Sequence, residues 1–363
     1  MIGLVCNCGT PVNFEDLKCE GCQSALGFDY QSLQLQPLRD TDAVLCLNGA
    51  HYGVCNWTVD AESETGLCFG CSFNRIIPDL NRERNLERWK VLEEAKKRLL
   101  VSLKRISVPC WNGWILPHGG LVFDFLEDSR SREDLGAFIA QTGYREGVIT
   151  INALEADPEF RIRQQLATKE KHRAVTGHFR HESGHYFWSI LAMEPAFNQE
   201  FKLIFGEETL PYAESLEAYY SSGPQPNWRE AYVSPYASAH PTEDWAETWS
   251  TYLMIRDAVE SALSCRLIEG DPENTDFSYQ LSIWSRLKFA LQQINKGLGF
   301  DGVEEFEVNP STRQKFNFVE SAIGYLRTVD LPSATYAATQ ISRAVYLDQT
   351  GLTLCPTAPV LGA

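Results

Sequence analysis

No stretch of the chain reaches the roughly 20 consecutive apolar residues that a helix needs to cross a bilayer, so no membrane-spanning helix is expected. The opening residues, Met1-Ile2-Gly3-Leu4-Val5-Cys6-Asn7-Cys8, lack the basic segment and the sustained apolar core of a secretory signal, which makes the cytoplasm the expected compartment. Positive charge is scarce as well: 32 Lys and Arg stand against 48 Asp and Glu, a formal net charge of -16. Affinity for nucleic acid rests on basic side chains neutralising phosphates, so this balance argues against a nonspecific nucleic-acid binder. Internal repeats and low-complexity tracts are also missing. What is present, 44% hydrophobic residues with 9 tryptophans in 363 positions, is the composition of a globular protein with ample core.

Cysteine is nearly absent from the last three-quarters of the chain, because eight of the eleven fall before residue 72. Cys6-Asn-Cys8 and Cys19-Glu-Gly-Cys22 form two close pairs across a short loop, the spacing by which two knuckles present four thiolates to one zinc ion. Cys68-Phe-Gly-Cys71 makes another knuckle, with Cys46 and Cys55 as its natural partners and His51 as a substitute. Two structural zinc sites are therefore expected. The region holds few large apolar side chains, so the metal is expected to supply much of its folding free energy.

Between residues 82 and 105 nine Lys or Arg accompany four Glu at helical period, a pattern read as a solvated helix face in preference to a dock for an acidic partner. The apolar spacing of Leu86, Trp89, Leu92, Ala95, Leu99, Leu100 and Leu103 predicts an amphipathic helix over 85–103. Residues 110–125 read as a hairpin broken at Asn112-Gly113 and Gly119-Gly120, and 147–154 as a strand. Helices are expected from Pro158 to about residue 170 and over 176–193, 213–220, 243–262, 277–295, 312–327 and 337–346. The fold class is thus α+β: a zinc-ribbon region (1–77), a linking helix (78–105), a mainly helical zincin-like domain with a small sheet (106–300) and a helical extension (301–363).

His181-Glu182-Ser183-Gly184-His185 is the motif with chemistry in it. Residues four apart on a helix share a face, so both imidazoles can reach one zinc ion, and Glu182 beside them can act as general base toward a zinc-activated water. A catalytic zinc needs a third protein ligand. Pro241-Thr242-Glu243-Asp244-Trp245-Ala246-Glu247 opens another helix with two carboxylates on one face. Glu243 is the favoured ligand and Glu247 the group that supports a ligating histidine; the reverse assignment is equally compatible with the periodicity. His178, one turn before His181, reads as a supporting or structural histidine.

The stretches from Gly177 to Tyr186 and from Ser234 to Trp249, with Cys46–Trp57, Arg75-Ile76-Ile77-Pro78-Asp79-Leu80 and Glu155-Ala156-Asp157, resemble the bacterial family of zinc-binding metallopeptidases with an N-terminal zinc ribbon. The likeness covers all but about the last sixty residues; it departs at Cys6-Asn-Cys8, where the family opens with a CxxC pair, and at Thr251 and Met254, where it often has His. The helix bearing Glu243 and Glu247 is more distantly similar to that of the lethal-factor and Pro-Pro endopeptidase group of gluzincins. That resemblance implies that the first Glu binds zinc, that the second supports a ligand, and that Tyr236, seven residues before Glu243, stabilises the oxyanion, with His240 as runner-up for that duty. The implied activity is hydrolysis of protein or peptide substrates with one catalytic and two structural zinc ions. The rival reading is a catalytically silent zinc-ribbon module that binds protein or nucleic acid.

Overall fold

The computed structural model describes residues 4–116, 118–168, 174–300 and 306–330. They fall into two compact units, one reaching Leu166 and taking in the start of a helix up to Phe179, the other within Arg180–Val329. No helix among the described residues is long and apolar enough to cross a membrane.

The first unit begins with three two-stranded antiparallel ribbons: β1 (Leu4–Val5) with β2 (Pro11–Val12), β3 (Leu26–Asp29) with β4 (Gln34–Pro37), and β5 (Val44–Leu45) with β6 (Thr58–Val59). A short helix, α1 (Leu47–Tyr52), lies between β5 and β6. Contrary to the expectation of a core-poor region, an aromatic chain runs through these ribbons. Phe14 meets Phe28 at 4.8 Å between centroids, Phe28 meets Trp57 at 5.3 Å, Tyr30 stacks on Trp57 at 5.0 Å and on Phe69 at 4.4 Å, and Phe69 meets Phe73 at 5.0 Å. Trp57 and Phe73 are fully buried, each worth roughly 1.5–3 kcal/mol relative to exposure. The aromatic positions are scattered through loops without periodicity, so pattern alone does not disclose them.

The central sheet of this unit has the order β7 (Asn74–Ile76), β8 (Val122–Leu126), β10 (Val148–Asn152), β9 (Gly143–Arg145). β8 pairs in parallel with β7 and β10, and β9 is antiparallel to β10. Residues 110–125 are therefore not a hairpin. All five residues of β8 are buried, as in a central parallel strand covered on both faces. Its one charge, Asp124, accepts 2.8 Å from Arg75 Nε on β7.

Helix α2 (Asn85–Arg105) packs beneath the ribbons and corrects the reading of a solvated basic face. The predicted apolar positions are buried except Leu86, which is exposed, and Glu93, Lys96 and Lys97 are buried with them. Glu93 Oε2 accepts from Asn74 Nδ2 at 2.9 Å, and its Oε1 lies 2.8 Å from Lys96 Nζ. Arg88 reaches Asp157 at 2.8 Å. Buried charges of both signs on one helix resemble a solvated pattern when only the sequence is read, since the Glu93–Lys96 pair at i, i+3 has the same spacing whether it is solvated or covered.

Helix α3 (Pro158–Thr168) follows the sheet, and α4 (Val175–Leu191) carries the chain into the second unit. That unit holds α5 (Pro195–Ile204), which the sequence does not signal, α6 (Tyr212–Ser222), α7 (Pro241–Ser264), α8 (Phe277–Leu298) and α9 (Pro310–Leu326). Pro241 occupies the first turn of α7, Asp276 caps α8, and Asn309 with Thr312 closes a capping box on α9. Phe318 of α9 meets Trp245, Phe205 and Phe201 in the core, and Lys315 pairs with buried Asp244 of α7. The α+β class holds as expected; the helix expected over 337–346 lies outside the described residues.

Candidate metal centres

Eight cysteines gather into two clusters, Cys6, Cys8, Cys19 and Cys22, and Cys46, Cys55, Cys68 and Cys71, with no disulfide in either. Sγ–Sγ separations are 3.8 Å for Cys6–Cys22, 3.6 Å for Cys8–Cys19 and 3.6 Å for Cys55–Cys68. Zinc–sulfur bonds of about 2.3 Å give a tetrahedral edge of about 3.8 Å, so both clusters fit a zinc ion. Cys6 and Cys8 converge despite their closer spacing because Gly9, at φ +88°, turns the chain back so that its N–H donates to Cys6 O. In the second cluster the Cys71 N–H donates to Cys68 Sγ and the Cys68 N–H to Cys46 Sγ, both at 3.4 Å. His51 is not among these four ligands. Burial would lower the pKa of Lys97, but thiolates of this cluster, with Glu93, raise it well above the ordinary lysine range.

The third group lies in the helical unit. His181 and His185 are one turn apart on α4, and their Nε2 atoms approach to 3.2 Å. Glu243, in the first turn of α7, places Oε2 3.0 Å from His181 Nε2 and Oε1 3.5 Å from His185 Nε2. Two imidazole nitrogens and a carboxylate oxygen thus converge on one point. Glu243 is buried, and its Oε2 has no hydrogen-bond partner. A buried carboxylate oxygen without a donor, 3.0 Å from His181 Nε2, is a costly arrangement that a cation resolves. The electrostatics agree: burial would lower the pKa of His181, yet Glu243 and Glu247 hold it well above the imidazole range, and burial of Glu243 is outweighed by the two histidines, which hold it well below the carboxylate range. The centre favours positive charge.

The two helices approach closely enough for this because Gly184 has no side chain. A Cβ there would stand 3.0 Å from Ala246 Cα and 3.3 Å from Trp249 Cβ. Trp245 Nε1 donates to Gly184 O at 2.7 Å and Trp249 Nε1 to Ser183 Oγ at 3.0 Å, fixing the register of α4 on α7.

Around the triad, Glu247 Oε1 lies 2.7 Å from His181 Nδ1, and its Oε2 accepts from Ser234 Oγ at 2.6 Å. Glu182 is buried on α4. Tyr236 has its ring centroid 6.0 Å from that of His181; burial, with Glu243 the largest of the nearby charges, raises its pKa, so the phenol stays a donor. His240 caps α7, with Nδ1 accepting from Thr242 N at 3.2 Å and Nε2 3.2 Å from Leu210 O. His178 sits 3.3 Å from Glu155 and is not one of the three converging residues. Two residues of the site have no role assigned from the sequence: Ser234, which opens the stretch of family likeness, and Tyr212, whose hydroxyl donates to Glu243 Oε1 at 2.8 Å. Neither is tied to its partner by a helical spacing.

Cysteine clusters and helical unit together define a zinc-ribbon protein with a mainly helical metal-binding partner region. The chain belongs to the family described as "Putative zinc-binding metallo-peptidase", whose model matches residues 85–322, and residues 4–82 match a zinc-ribbon domain. Uncharacterized proteins of Mycobacterium bovis and Mycobacterium tuberculosis are 31% identical over 326 residues, covering 87% of this chain and 93% of theirs. No solved structure matches the chain.

Proposed function

We propose that the protein hydrolyses peptide bonds at a zinc ion held by His181, His185 and Glu243, with Glu182 as general base and Tyr236 as donor to the reacting carbonyl oxygen. The convergence of two Nε2 atoms and an orphaned carboxylate oxygen, with a buried glutamate on the same helix, carries this reading. Zinc bound there would supply Lewis acidity, making water nucleophilic near neutral pH and polarising the scissile carbonyl.

The protein's own groups do the rest. Glu182 takes the proton of the attacking water and returns it to the departing amine. Tyr236, kept protonated, donates to the oxygen as negative charge develops on it. Glu247 accepts the Nδ1 proton of His181, which leaves Nε2 unprotonated to face the metal, and Ser234 holds Glu247 in place. The two cysteine clusters hold two further zinc ions as structural elements, for three in all, and the substrates are proteins or peptides.

Glu182→Gln is expected to lower cleavage of a peptide library by about 10²–10⁴-fold while zinc content stays unchanged. Undiminished cleavage by this variant would refute the role of Glu182. A zinc-loaded wild type that cleaves no member of a diverse library would transfer the reading to a ribbon-bearing interaction module.

A further inference from the structure

We propose that Tyr212 is a positioning residue for Glu243, fixing which carboxylate oxygen is offered to the metal; this rests on the reading of Glu243 as a ligand. Helix α6, which carries Tyr212, has no buried residue, and Tyr212 itself is 46% exposed. An exposed tyrosine has little buried surface to hold it in a fixed orientation. Nevertheless its hydroxyl donates 2.8 Å to Oε1 of a carboxylate that is 1% exposed. Its ring is held from the side by His240, edge to face at 5.2 Å between centroids, and His240 Nε2 is in turn 3.2 Å from the carbonyl of Leu210, just before α6. The N-cap of α7 therefore grips the entry of α6 and aims the phenol at the first turn of α7.

The two oxygens of Glu243 are thereby made unequal. Oε1 has the Tyr212 hydroxyl as donor, while Oε2 has no hydrogen-bond partner and lies nearer His181 Nε2. With one oxygen engaged, the other is left for the ion, and the carboxylate is held as a one-oxygen ligand. Such a ligand leaves room for the open position that a hydrolytic zinc requires. Without the hydroxyl, Oε1 loses its donor and the carboxylate loses one of its constraints, so more of the ordering cost falls on metal binding itself.

The test is zinc affinity at the third site, measured by chelator competition on the full-length protein with both cysteine clusters loaded. Tyr212→Phe removes one hydroxyl and keeps the ring on His240. It is expected to weaken the third zinc by about 10–100-fold, the range usual for losing a group that orients a ligand. Thermal unfolding and the content of the cysteine sites should match wild type, and Glu217→Gln on the same exposed helix should bind zinc as wild type does. In a Glu243→Gln background the Tyr212→Phe change should add little, because its effect runs through the carboxylate. Equal affinity in Tyr212→Phe and wild type would overturn the proposal, as would an undiminished loss in the Glu243→Gln background. A wild type that takes up no third zinc would overturn it together with the ligand reading beneath it.

Discussion

At the scale of single residues, the molecule concentrates its buried charge where a partner is already in place. Asp128 is an instance away from the metals: fully buried, it accepts from Asn152 Nδ2 at 2.7 Å, Arg130 Nε at 3.0 Å and the Ala140 N–H at 3.2 Å, tying the loop after β8 to the end of β10. Burial would raise its pKa, but Arg130 and these donors hold it below the ordinary aspartate value. A depressed folded-state pKa contributes stability that is complete above the unfolded value of about 3.9 and is lost as the pH falls through the folded one. Asp128→Asn should therefore destabilise this loop by about 1–3 kcal/mol at pH 7, with the difference shrinking below about pH 4. Hydrogen exchange at the Ala140 amide, compared with wild type at each pH, reads it; a difference that persists unchanged into acid would count against an ionised Asp128.

At the scale of elements, the active-site reading depends on how closely α4 and α7 pack. Gly184→Val forces side-chain carbon against Ala246 Cα and the Trp249 side chain, so the helices must separate. Overpacking of this kind costs about 1–3 kcal/mol. Because His181 and His185 ride on one helix and Glu243 on the other, zinc affinity at the third site should fall with stability. Full zinc binding in this variant would show that the triad tolerates a wider helix spacing. Much of this arrangement is legible in the sequence, where pairs at i and i+4 put His181 with His185 and Glu243 with Glu247 on shared helix faces. Periodicity leaves open which glutamate meets the Nε2 atoms, since both project the same way; the difference lies in how α7 is set against α4, a matter of Gly184 and two tryptophan N–H donors. Tyr212 is invisible to pattern, lying 31 residues from the carboxylate it touches. Strand β8 reads as part of a hairpin because Asn-Gly and Gly-Gly pairs signal turns whether or not the flanking runs pair with each other.

At the scale of the whole molecule, the two units differ in what the sequence can reveal. The cysteine clusters are legible from spacing alone, whereas the aromatic chain from Phe14 to Phe73 is not, because its residues share no period, and the burial of Glu93, Lys96 and Lys97 is not, because charged residues at helical period read as a solvated face. The aromatic core also bears on metal dependence: the ribbons have apolar burial to combine with their metal, so zinc removal acts on a region with a core of its own. The central claim is that this protein carries a metal site separate from its ribbons. Zinc per chain, determined by elemental analysis with the cysteines kept reduced, tests it most directly when wild type is compared with His185→Ala. Three ions falling to two is the expected result; two ions in both proteins would contradict the account.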